Sequence, residues 1–208
     1  MITAELRPPA RRGSVAEILE TGVRTIVLID GVFYGEPAIS PREILAALDR
    51  GIRVYGAAGV GALRAAECLR DGMIGHGVVY RWFRDGAIDA DDEVMLRHTS
   101  AEDGYRALSE PLVNLRWGLQ GAVSRGLLAE AEAAALCDEA KATYYPDRSW
   151  DRLLRGPSAE QLGATRLAAL EAYIRRERPD VKRQDALELL TQCTGERGHP
   201  PVAAKGAA

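Results

Sequence analysis

The sequence predicts an α/β protein, a small Rossmann-like parallel sheet with flanking helices, followed by a helical C-terminal half. Three observations carry that expectation. TIVLID, Thr25 to Asp30, is an unbroken apolar run bounded by charge and glycine, the form of a strand buried on both faces. RVYGAA, from Arg53, has the same form, and the segment between them carries Ile44, Leu45 and Leu48 at helical spacing. From Ser109 onward Leu112, Leu115, Leu119 and Val123 recur at intervals of a helical turn, and the pattern continues to Cys193.

The elements follow in order. MITAELRPPARRGS is rich in Pro and Arg and reads as irregular; Ser14 is placed to cap a short helix, VAEILET, that Gly22 ends. After the first strand, Ser40 followed by Pro41 opens a helix that stops at Gly51. Strand, helix and strand with short links make a βαβ unit, whose crossover is right-handed. VVYRWFRDGAIDADDEVMLRH mixes aromatic and acidic residues, and within it EVMLRH is expected as a third strand. Ser109 is expected to cap the next helix, with Pro111 in its first turn. AEAEAAALCDEAKATYY, WDRLLRG, TRLAALEAYIRRERP and KRQDALELLTQC then read as further helices. A soft boundary falls between Asp147 and Asp151. The expected organisation is therefore a core over residues 1–150, a helical extension over 151–195 and a disordered tail over 196–208.

Composition narrows the function. The chain has 208 residues, 47% apolar and 27% charged, with a formal charge of -3. No basic excess points to nucleic acid, and no apolar stretch approaches the length of a membrane span. The basic N-terminus lacks the apolar run of a signal peptide. Cys68, Cys137 and Cys193 are an odd, widely spaced set without CxxC, which fits a reducing cytoplasm and neither a disulfide framework nor a zinc site.

The chemistry centres on VYGAAGVGALRAAE, Val54 to Glu67, a strand running through Gly56, Gly59 and Gly61 into a helix. Ligands of open parallel sheets gather at the carboxyl ends of the strands, here Asp30-Gly31 and these glycines. A helix starting there aims free N–H groups and its positive dipole end at the crevice, so Gly59, Val60, Gly61 and Ala62 are candidate anion or oxyanion donors. The order of the glycines is not that of a dinucleotide fingerprint, no G-K-[ST] makes a P-loop, and no serine makes a nucleophile elbow. The bland alternative is that the glycines let helix and sheet approach closely. Arg64 and Glu67 share one helix face as either an exposed ion pair or an anion-holding pair. Asp30 is open to a turn role or a catalytic one, and His98 to a strand end or a base. Asp85, Asp89, Asp91, Asp92 and Glu93 lack EF-hand spacing and read as a solvated acidic face, a docking surface or a divalent-cation site. Cys68 reads as a small core residue or a persulfide carrier, and Trp82, Trp117 and Trp150 as core or interface anchors.

Several of these segments together resemble the TfuA family. They are Asp30-Gly31 with Phe33, Pro41 to Leu48, Gly56 to Glu67, and Gly72-Met73 with Gly75 and Gly77. Arg84 to Gly86, Asp91 to Val94 with His98, and Ser109-Glu110 with Val113-Asn114 and Arg116 follow in order. The resemblance runs from about Arg7 to Trp150. It implies an accessory protein of YcaO enzymes, which activate a backbone amide with ATP so that sulfur replaces its oxygen, giving a thioamide in ribosomally made peptides. The partners it implies are the YcaO enzyme, a thiocarboxylated ThiS-like sulfur carrier and, through the YcaO enzyme, the precursor peptide. Neither a cofactor nor a metal is implied for this chain. Two departures stand out. The family commonly has serine at the position of Gly59 and methionine at that of Val60, and a preceding βα segment is expected to be missing.

The mechanism so implied brings the carrier thiocarboxylate past Asp30-Gly31, with Arg64 and the amides at Gly59 to Ala62 holding its charge. Glu67, Asp30 or His98 positions water for attack, and hydrosulfide leaves toward the YcaO enzyme. An adaptor that docks carrier, YcaO or peptide without catalysis is the alternative, and a small anionic metabolite or nucleotide in the crevice a third.

Overall fold

The computed structural model describes residues 4–33 and 37–194. The tail expected to be disordered, residues 196–208, lies outside them. Two compact units divide the chain: the residues through Ile88 together with those from Lys182, and Asp89–Val181. That division differs from the soft boundary read between Asp147 and Asp151. Among the described residues no helix is long and apolar enough to cross a membrane.

The first unit holds the α/β layer. Its strands β1 (Thr25–Ile29), β2 (Arg53–Ala57) and β3 (Ile74–Gly75) form a parallel sheet in the order β1-β2-β3. Helix α1 (Pro41–Asp49) crosses from β1 to β2, and α2 (Gly59–Glu67) from β2 toward β3. Ser40 is the N-cap of α1 with Pro41 inside it, and the Glu43 carboxylate accepts the Ser40 N–H at 3.1 Å. The register pairs Val27 with Tyr55 and Ile29 with Ala57, so these side chains share a face. That face packs on Leu189 of α9 (Val181–Thr194). On the opposite face Gly56 lies against α2, close to Ala65.

Two expectations need correction here. The helix over VAEILET is only a 3-10 turn, Ala16–Ile18, because Ser14 Oγ accepts the Arg11 N–H and closes the preceding turn instead of capping. The third strand is β3, not EVMLRH. Beyond a 3-10 turn at Asp91–Glu93, that segment makes only an isolated antiparallel bridge, His98 to Ala107. Ion pairs fix it in place of a ladder, as described below. The stretch around VVYRWFR is a helix, α3 (Gly77–Arg84). Its start is capped from far along the chain: Asp185 of α9, fully buried, accepts the N–H groups of Val78 and Val79, each at 2.8 Å. Burial pushes the Asp185 carboxyl up from its ordinary value, and the two N–H bonds pull it back.

The second unit is helical, with α4 (Leu112–Ser124), α5 (Glu130–Ala142), α6 (Trp150–Leu154), α7 (Pro157–Glu160) and α8 (Ala164–Glu177). Leu115, Leu119, Leu136, Leu153 and Leu170 meet in its core, with Trp150 packed against them. Ser109 does not cap α4; its hydroxyl accepts the Arg97 N–H at 2.8 Å, and Pro111 stands at the N-cap.

The acidic cluster is divided: Asp85, Asp89 and Asp91 are exposed, as a solvated face would have them, whereas Asp92 and Glu93 are tied to arginines, and among the described residues no group of side chains is suited to a metal ion. Glu93 is fully buried and takes a two-pronged bond from Arg116 at 2.7 and 2.9 Å. Asp92 is held by Arg148, whose side chain is 1% exposed. These pairs clasp the 3-10 turn to α4 and to the chain after α5.

Candidate functional site

The turn between β2 and α2 is strained. Ala58 has φ 52° and ψ 168°, a region that side-chain-bearing residues rarely enter and that costs about 1–3 kcal/mol. The bend is sharp because the strand must reverse into a helix that lies directly on the sheet. Gly61 permits the approach: a Cβ added there would overlap the Leu28 carbonyl oxygen, with the carbonyl carbon at 3.0 Å. The close-packing reading of the glycines therefore holds, and it coexists with a polar site at the same turn.

That site is built on Asp30. Its backbone is left-handed, φ 57°, and its N–H donates to the Ala57 carbonyl at 3.1 Å, which ties the ends of β1 and β2 together. Its carboxylate reaches the start of α2, where Oδ1 accepts the Val60 N–H at 3.3 Å. Oδ2 stands 2.6 Å from Nζ of Lys182, in the first turn of α9. Asp30 is thus the anion at this positive helix end. The Asp30 side chain remains 37% exposed, whereas that of Lys182 is 9% exposed.

Of the four candidate amide donors, Ala62 is committed to the helix through Ala58 at 2.7 Å. Val60 serves Asp30. Gly59 and Gly61 are buried, and their N–H groups meet no acceptor among the described residues. A side chain at position 59 would collide with the carboxylate, since a Cβ there would overlap Oδ1 and stand 3.0 Å from Oδ2 of Asp30. The glycine and the inward-turned Asp30 depend on each other.

Arg64 does not face this helix end. Its Nε donates to the Ile39 carbonyl and its Nη1 to Glu67, each at 2.7 Å, with the side chain 11% exposed. The pair braces the approach to α1. His98 belongs to the second unit; its Nδ1 lies 2.7 Å from the Thr99 carbonyl, which makes Nδ1 the donor, and Tyr105 meets its ring edge-on. The structure therefore brings Asp30 together with the Gly59–Gly61 amides, and pairs Arg64 with Glu67 separately. Lys182 has no sequence signal: RPDVKRQD reads as an ordinary polar helix start, and only the packing of α9 on the sheet carries the lysine to Asp30.

The cysteines do not join the site. Burial pushes the thiols of Cys68, Cys137 and Cys193 up from their ordinary value, which disfavours the thiolate a sulfur carrier would need. Cys68 is 2% exposed. Under native conditions iodoacetamide is expected to leave Cys68 unmodified over hours, with full labelling in urea, as peptide mass spectrometry would show.

Parallel strands ending at a strained, glycine-lined helix start, with an acid turned into it, define the α/β unit of this chain. The profile of the TfuA-like protein family matches residues 30–149, more than half of the chain and the segment that contains Asp30 and the turn. The chain belongs to the TfuA-like family. No protein of curated function matches it.

Proposed function

We propose that this TfuA-like protein is an accessory protein of YcaO-dependent thioamide formation that releases hydrosulfide from the thiocarboxylated C-terminus of a ThiS-like carrier. The observation that carries the reading is the Asp30 carboxylate held at the start of α2, where it accepts the Val60 N–H between the buried residues Gly59 and Gly61. A carboxylate at that place can take a proton from water while N–H donors hold the oxygen of a tetrahedral intermediate. The water oxygen bonds to the carbonyl carbon, Asp30 takes its proton, and the C–S bond breaks. Carrier carboxylate, hydrosulfide and one proton result, with no change of oxidation state. No side-chain nucleophile is required, so glycine at position 59 suits this route. Arg64 and Glu67 support the turn; His98 takes no step. ATP chemistry stays with the YcaO partner.

The test is sulfide release from a thiocarboxylated carrier without YcaO or ATP, beside a no-protein control. Asp30→Asn, isosteric and unable to accept the proton, is expected to lower the rate about 100-fold, the usual scale of a general base. A non-catalytic adaptor is the second reading, favoured by the same carboxylate acting as a plain helix cap. It predicts carrier binding with no release above the control.

A further inference from the structure

We propose that Lys182 is a positioning residue of the Asp30 site, its ammonium fixing the carboxylate at the start of α2. This rests on the reading of Asp30 as the base, although its structural half can be tested alone. A lysine in the first turn of a helix opposes the helix dipole and, when buried, loses its hydration, so its placement needs a nearby anion. Asp30 is that anion at 2.6 Å, whereas the backbone donor to its carboxylate among the described residues, the Val60 N–H, is at 3.3 Å. The shorter, charge-assisted contact is the one that orients the group. Lys182 lies beyond residues 30–149, so the part of the chain that matches the family is completed by a helix outside it.

Removing the ammonium alone should leave α9 in place. Leu189 remains packed with Tyr55 and Ala57, and Asp185 still holds the Val78 and Val79 N–H groups. Lys182→Met keeps the length of the side chain and deletes its charge. It is expected to lower kcat for sulfide release about tenfold while KM for the carrier stays within about twofold, because an interaction that orients a base acts in the transition state and not in binding. Lys182→Arg, which restores a cation, is expected to recover most of kcat. The Val60 amide gives a readout independent of activity. Its cross-peak in a nitrogen–proton correlation spectrum should move in Lys182→Met in the direction it moves in Asp30→Asn.

An unmoved Val60 amide in folded Lys182→Met overturns the proposal, as does unchanged kcat in an active protein. If the wild type releases no sulfide and the Val60 amide still moves, the hydrolytic reading fails while the positioning of Asp30 by Lys182 stands. Should Lys182→Met fail to fold, Asp30→Asn/Lys182→Met, which buries no unpaired charge, replaces it. Its kcat and its Val60 amide should then match those of Asp30→Asn alone; a further fall in kcat overturns the proposal.

Discussion

Gly61→Ala is expected to destabilise the α/β unit by about 3 kcal/mol, at the upper end of what overpacking costs. The added methyl would overlap the Leu28 carbonyl oxygen. That oxygen belongs to the backbone of β1, which is paired with β2 from Thr25 to Ile29 and cannot rotate aside. Helix and sheet must separate, and contacts such as Gly56 against Ala65 open with them. Gly59→Ala is the instructive contrast. Its methyl would meet the end of the Asp30 side chain, which can swing outward only by leaving the buried Lys182 ammonium without its anion, so the expected stability cost is about 1–2 kcal/mol. The expected functional cost is larger, because the carboxylate must leave the start of α2. Hydrogen exchange along a urea gradient, read on peptides of β1 and α2, separates the two variants. A Gly61→Ala protein with wild-type protection at Leu28 and Ile29 would show that helix and sheet are not closely packed here. Equal sulfide release by Gly59→Ala and wild type would remove Asp30 from the chemistry.

Local signals made β1, α1 and β2 legible, since each carries its own boundary: the apolar run of TIVLI, the Ser40-Pro41 start and the glycine after the helix. Helix α3 was illegible for a physical reason. Its cap is Asp185, separated from Val79 by 106 residues, and Gly77 with Gly75 before it resembles a stop more than a start. The start of α2 is capped in the same way by Asp30 from β1, while its own N-cap, Ala58, contributes no side-chain bond. The anion expected at that helix end is thus supplied from within the chain. Arg64 illustrates the opposite error: its spacing to Glu67 was readable, but not the Ile39 carbonyl that draws the guanidinium away from the helix start. Lys182 could not be found by spacing at all, because the contact joins two elements distant in sequence.

Arg148→Ala is expected to cost the helical unit about 3–5 kcal/mol, the range for deleting a large buried side chain together with the donors it supplies. The magnitude follows from what the guanidinium does. Its Nε donates to the carbonyls of Ala140 and Thr143 at 3.1 and 2.9 Å, and its Nη1 to that of Asp92 at 2.7 Å. Its Nη2 holds the Asp92 carboxylate. Truncation leaves those acceptors without their donor and opens space where the side chain was almost fully buried. Asp92→Asn is expected to cost no more than about 1 kcal/mol, because Asp92 is 39% exposed and Arg148 keeps its carbonyls. Urea unfolding followed by exchange on peptides of α4 to α6 would measure both. A cation site at Asp92 and Glu93 predicts otherwise, with calcium or magnesium raising the wild-type midpoint. The clasp predicts no such rise, since Arg116 and Arg148 already hold the two acids. The acidic motif that helped to reveal the family is then a fastening within the helical unit, and the proposed chemistry is left to Asp30 and the turn after β2.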